Sequence, residues 1–156
     1  MTASQRRKGK GGELELAGII RDLSGWDVRR RVRQHDGDSD LEGIPGWSVE
    51  VKRHKAAGRG LIGAWRRQTV QQATRVATGQ KNAAAARISC LMPVLFFRAD
   101  RDQWRAVWPA SVLLTHQRAD MWVDYAWTCE SSVEAWVAVA QELTAPESEN
   151  GPESGR

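Results

Sequence analysis

Apolar residues first recur at helical spacing between Glu13 and Leu23, where Leu16, Ile19, Ile20 and Leu23 share a face and Gly25 follows as a stop. The next run alternates instead. From Trp26 to Arg33, Trp26, Val28 and Val32 fall on one side and Asp27, Arg29, Arg31 and Arg33 on the other, the pattern of a half-buried strand. Asp36 to Pro45 is a Gly/Asp-rich turn with room for a short strand at Asp40 to Glu42, and Trp47 to Arg53 reads as the following strand. A Gly-containing loop from His54 to Gly63 leads into a helix over Ala64 to Ala77, with Trp65, Val70, Ala73 and Ala77 inward and Gly79 at its end.

The second half continues the alternation of helix and strand. Gln80 to Arg87 is Ala-rich and fits either a further helical turn or a mobile loop. Met92 to Arg98 is an apolar run closed by a polar turn, as expected of a buried strand, and Trp104 to Trp108 completes a hairpin with it. Pro109 opens a short helix to Leu114, Met121 to Thr128 predicts an edge strand, and Ser131 with Glu134 resembles a capping box before a helix to about Leu143. The flanks lack apolar periodicity. Residues 1–12 therefore predict a basic flexible arm, 13–143 a single domain and 144–156 a disordered tail.

Composition bounds the function before any motif does. A chain of 156 residues with 41% hydrophobic and 27% charged side chains suits one domain with a real core. No apolar run approaches the roughly 18 residues that cross a bilayer, and MTASQRRKGKGG lacks the apolar segment of a secretory signal, so a cytoplasmic protein without a membrane partner is expected. Cys90 and Cys129 are far apart and form no CxxC, which predicts packing thiols rather than a zinc site or disulfide. His35, His54 and His116 lack ligand spacing, and no GxxxxGK[ST] phosphate loop is present. Of the eight tryptophans, Trp65, Trp104, Trp108 and Trp136 suit a core, and Trp26, Trp47, Trp122 and Trp127 suit packing or dimer contacts better than base stacking.

Charge is unevenly placed. Residues 1–80 hold 16 Lys/Arg against 9 Asp/Glu, or +7, and residues 81–156 hold 7 against 10, or −3, which together give the net +4. Arg6, Arg7, Lys8 and Lys10 form one cluster, Arg29, Arg30, Arg31 and Arg33 a second, and Lys52, Arg53, Lys55 and Arg59 a third. A basic run is by itself an ordinary solvated surface. Beside a cluster of acidic ligands it fits a polyanion instead, because phosphate contacts supply most non-specific affinity for nucleic acid. Arg29, Arg31 and Arg33 are expected to contact backbone phosphates.

The acidic cluster lies in DGDSDLEGIPGWSVEVKRHK, residues 36–55. Successive strand side chains point to opposite faces, so Val49 and Val51 enter a core while Glu50 and Lys52 project together from the other side. With Asp40 upstream, the arrangement suggests two carboxylates around a divalent metal and a lysine beside the attacking water, the layout of a metal-dependent phosphodiesterase. Each part alone has a plainer explanation. An ExK pair is common on strand surfaces, Asp is a frequent turn residue, and Glu near a helix start is favoured by the helix dipole.

The joint order of these residues resembles the PD-(D/E)xK nuclease superfamily, and within it the Holliday junction resolvase-like endonucleases of phages and prophages. GKGGELE supplies the first-helix element, with Glu13 the better match and Glu15 the second; Ser39-Asp40-Leu41 supplies the acidic turn and Val49-Glu50-Val51-Lys52 the strand. Ser39 stands where the motif has proline, and Asp36 and Asp38 compete with Asp40, which is preferred because an apolar residue follows it. The resemblance spans roughly residues 8 to 108.

It implies an α/β, restriction-endonuclease-like core in which a central mixed β-sheet is flanked by helices. It further implies Mg²⁺, with Mn²⁺ able to substitute, held by Asp40, Glu50 and the Val51 carbonyl, with Glu13 reaching the same site from its helix. Lys52 would orient the attacking water, and Gln72 on the following helix would approach the site. The implied substrate is branched or duplex DNA, and the implied assembly a homodimer in a bacterial host cell, encoded by a phage. Arg6, Arg7, Lys8, Lys10, Arg29, Arg31, Arg33, Arg53 and Lys55 are the expected nucleic-acid contacts. A catalytically idle nucleic-acid-binding module of the same fold is the competing expectation.

Overall fold

The computed structural model describes residues 3–32, 39–78, 91–114 and 119–145. Among the described residues, three helices, α1 (Ala3–Ser24), α2 (Arg59–Thr78) and α3 (Val133–Thr144), accompany six strands: β1 (Arg29–Arg30), β2 (Leu41–Glu42), β3 (Trp47–His54), β4 (Met92–Ala99), β5 (Arg105–Pro109) and β6 (Thr128–Ser132). β1 and β2 form a small antiparallel ribbon; the main sheet has the order β3-β4-β5-β6. It is mixed, with β3 parallel to β4 and the other neighbours antiparallel. Parallel neighbours need a long crossover, and the stretch containing α2 supplies it. This is the expected α/β architecture of a mixed sheet flanked by helices.

The sheet is covered on both faces, and the alternation within β3 and β4 decides what each cover meets. Val49, Val51, Val94 and Phe96 belong to the larger core with Leu16, Ala17 and Ile20 of α1 and Val133, Trp136, Val137 and Ala140 of α3. Trp136 is fully buried and meets Trp47 and Phe96 edge-on, with ring centroids 5.3 and 4.9 Å away. The opposite face carries Leu95, Phe97 and Val107 under Ile62 and Trp65 of α2. Glu50 is paired across the ladder with Leu95, so it belongs to this second face, beneath α2.

Several elements differ from the periodicity that predicted them. α1 begins at Ala3, so residues 3–12 are helical rather than a flexible arm. Gly12 marks a close approach of α1 to the sheet, since a Cβ there would meet the Trp104 ring at 3.3 Å and Arg53 Cβ at 3.4 Å, so a larger residue would need its neighbours to give slightly. The strand expected from Trp26 to Arg33 shrinks to Arg29–Arg30; Val28 is buried as expected, but Val32 is 75% exposed. α2 starts at Arg59, inside the expected loop.

The edge strand expected at Met121 to Thr128 is instead two 3-10 segments, Ala119–Val123 and Tyr125–Trp127, and the true edge strand β6 follows them. The short helix after Pro109 is a 3-10 segment, Ala110–Leu113. α3 is capped by Ser132, whose hydroxyl accepts the Ala135 N–H at 3.2 Å, rather than by Ser131, which accepts Trp108 Nε1–H at 3.1 Å. Gln80–Arg87, Cys90 and residues 146–156 of the expected tail lie outside the described residues.

Candidate active site

β3 carries Glu50 and Lys52, and a turn laid along its outer edge brings Asp40 beside them. The Asp40 N–H donates to the Val49 carbonyl at 2.8 Å, and the Val49 N–H donates to the Ser39 hydroxyl at 2.9 Å. That hydroxyl in turn donates to the Leu41 carbonyl at 2.7 Å. Serine in place of the motif's proline therefore has a local role. Its oxygen takes an edge N–H that a proline ring would leave unpaired.

The Asp40 carboxylate accepts the Val51 N–H at 2.7 Å, which fixes it against the backbone between Glu50 and Lys52. Asp40 is 1% and Glu50 2% exposed, so two carboxylates are held out of water at one strand edge. Buried carboxylates persist only with hydrogen bonds or counter-charges. For Glu50 the counter-charge is Lys52, an ion pair two residues along the same face. The paired projection expected of Glu50 and Lys52 is thus present. Asp36 and Asp38 lie outside the described residues.

Glu13 is elsewhere engaged: Arg30 Nε donates to it at 2.5 Å, tying α1 to the β1–β2 ribbon. Among the described residues, no three His, Cys, Asp or Glu side chains form a group able to hold a metal ion, so Glu13, Asp40 and Glu50 do not make one cluster. Glu15, the second match, joins Arg98, Arg53 and the Trp104 indole N–H. Gln72 is buried on α2, the helix over the Glu50 face, whereas Gln68 one turn earlier is exposed.

The basic residues divide into exposed and engaged. Lys10, Arg31 and Lys55 are exposed. Arg29 is exposed but paired with Asp27 at 2.7 Å, a hydrogen bond that also raises its pKa. Arg53 is half-buried beneath α1. Arg6, Arg7 and Lys8 are part of α1, their side chains outside the described residues, and Arg33 is outside them altogether.

Sequence patterning missed Arg66. It is 4% exposed on α2, and its guanidinium donates to the carbonyls of Trp122, Val123 and Asp124, the last two at 3.2 Å. The available signal was position, since Arg66 lies on the same helical stripe as Ile62, Val70 and Ala73.

The mixed sheet between helices, with Asp40, Glu50 and Lys52 gathered on one strand edge, defines an α/β protein of the restriction-endonuclease-like, PD-(D/E)xK class. Over residues 4–134 the chain matches the family model described as "Phage putative PDDEXK endonuclease", and it belongs to that family. Neither a curated protein nor a solved structure gives a significant match. Among the described residues no helix is long and apolar enough to cross a membrane.

Proposed function

We propose that the protein is a divalent-metal-dependent endodeoxyribonuclease, selective for DNA structure in the manner of a junction resolvase. The observation that carries this reading is the 2.7 Å bond from the Val51 N–H to Asp40, which holds that buried carboxylate on the strand bearing Glu50 and Lys52. The donor set fits a hard cation, since Asp40, Glu50 and the Val51 carbonyl are all oxygen ligands and Mg²⁺ keeps several waters. Such an ion would polarise the scissile phosphate and acidify a bound water. Mg²⁺ is the proposed ion, with Mn²⁺ as a substitute.

The chain's own groups then have distinct tasks. Asp40 and Glu50 supply negative charge in a dry site, where electrostatic interactions are strong. Lys52, drawn from its pairing with Glu50, would hold the attacking water and stabilise charge that develops on the phosphate. Glu13, about three turns into α1, and Gln72, buried on α2, are proposed to contribute through water. Lys10, Arg31 and Lys55 are proposed to hold flanking phosphates, with Arg6, Arg7, Lys8, Arg29, Arg33 and Arg53 adding to the same field. A homodimer acting on symmetric strands within a bacterial cell completes the proposal.

A second reading, an idle nucleic-acid-binding module, draws support from one observation. Glu13 pairs with Arg30 and does not join Asp40 and Glu50 in a metal-holding group. Cleavage decides between the two. Labelled four-way junction, duplex and single-stranded DNA are incubated with Mg²⁺, Mn²⁺ or EDTA. Metal-dependent cutting establishes the nuclease, and symmetric nicks in the junction establish its selectivity; binding without cutting in either metal establishes the module.

A further inference from the structure

Arg53 of β3 and Arg98 of β4 are direct partners in the parallel ladder, and both reach toward α1. Like charges at paired positions destabilise a sheet unless something answers them. Glu15 answers both: it forms an ion pair with Arg98, lies 3.8 Å from an Arg53 nitrogen, and accepts the Trp104 indole N–H at 3.3 Å. Two guanidiniums therefore share one carboxylate. One positive charge is in excess.

The excess is held in place and remains reachable. The Arg98 guanidinium lies 5.6 Å from the centroid of the Trp104 ring, a cation–π arrangement that limits its movement. The Nε atoms of both arginines are buried without a hydrogen-bond partner, yet the side chains stay 26% and 19% exposed. α1 passes over Arg53 at Gly12, and the exposed Lys10 precedes that crossing. The adjoining groove of about 360 Å³ is lined by Glu15, Asp102 and Glu134 besides Arg98.

We propose that Arg53 and Arg98 form a phosphodiester-binding pair, and that Glu15 is its internal counter-ion, displaced when a DNA backbone phosphate binds. The inference rests on DNA being the substrate. Arg53 neighbours Lys52 in sequence but projects to the other side of β3, so the pair grips DNA away from the scissile bond. Glu15 keeps the two guanidiniums compatible in the free protein. A phosphate takes over that task in the complex.

The test is binding of labelled duplex to the full chain in EDTA, across a salt series, for wild type, Arg98→Gln and Glu15→Gln. Arg98→Gln should weaken binding roughly 5- to 10-fold near 0.1 M salt and make the slope of log affinity against log salt shallower by about 0.9, the loss of one phosphate contact. Glu15→Gln should do the reverse, binding several-fold tighter while its own melting temperature falls. A purely structural Glu15 would lower stability and affinity together. A folded Glu15→Gln protein that binds no tighter, or an Arg98→Gln protein with an unchanged slope, overturns the pair. Cleavage with Mg²⁺ is scored separately: its absence overturns the nuclease and leaves these binding shifts standing, and shifts absent from a protein that cleaves overturn the pair alone.

Discussion

The carboxylate of Asp40 accepts the backbone N–H of Val51 at 2.7 Å, so the acidic turn and β3 are joined at the residue between Glu50 and Lys52. One side chain thus serves geometry and charge at once. Asp40→Asn separates the two, because an amide oxygen still accepts the N–H but carries no charge. Stability should fall by only about 1 kcal/mol, the difference between charged and neutral acceptors, whereas cleavage should be lost. Asp40→Ala should lose cleavage and about 2 kcal/mol, because the buried N–H is left without its acceptor. Thermal melts beside a cleavage assay check both, and cleavage surviving in Asp40→Asn would remove Asp40 from the machinery.

Glu50 and Lys52 should respond unequally to substitution. Lys52→Ala takes one charge-assisted contact from a carboxylate that is 2% exposed, a loss of about 1.5–3 kcal/mol. Glu50→Gln removes the buried charge and leaves Lys52, 25% exposed, to find water. Both variants should lose metal-dependent cleavage, and only Lys52→Ala should lose much stability. Denaturant unfolding resolves the difference; equal destabilisation would show that the two charges do not depend on each other.

Ser39 offers a test of the departure from the motif. Its hydroxyl accepts the Val49 N–H and donates to the Leu41 carbonyl, so Ser39, itself 7% exposed, joins β2 to β3. Ser39→Ala leaves a buried donor unpaired and should cost about 1–3 kcal/mol. Ser39→Pro, which would restore the motif, should be no better, because the ring supplies no oxygen for Val49. A stabilised proline variant would mean that the hydroxyl bonds carry little weight.

What could be read from sequence followed the range of the interactions. β3 was legible because Val49, Val51 and their polar neighbours alternate locally, and the Leu16–Ile20 stripe of α1 repeats within one helix. The 3-10 segments at Ala119–Val123 and Tyr125–Trp127 were not, because the carbonyls of Trp122, Val123 and Asp124 are held by Arg66, more than 50 residues away. The helix cap moved from Ser131 to Ser132 for a similar reason: Trp108, on the neighbouring strand, takes the Ser131 hydroxyl. In the site, Asp40, Glu50 and Lys52 sit on consecutive segments and could be grouped from sequence. The pairing of Glu13 with Arg30, and of Glu15 with Arg98, depends on how α1 lies across the sheet.

The three glycines near the start of α1 should respond to alanine with opposite signs. In a helix interior glycine is about 1 kcal/mol less favourable than alanine, so Gly9, Gly11 and Gly12 together weaken the turns that carry Lys8 and Lys10. A Cβ at Gly9 or Gly11 would meet nothing within 4 Å, and Gly9→Ala with Gly11→Ala should raise helicity and stability by up to that amount each. At Gly12 the same Cβ meets the Trp104 ring at 3.3 Å, and Trp104 is 7% exposed and bonded to Glu15, so it cannot easily give way. Gly12→Ala should therefore lower the melting temperature despite its better helix propensity. Circular dichroism with thermal melts of the double variant and of Gly12→Ala checks both signs. If Gly12→Ala stabilises as its neighbours do, α1 does not lie against Trp104 and Arg53, and the contact that brings Glu15 to the arginine pair would have to be redrawn.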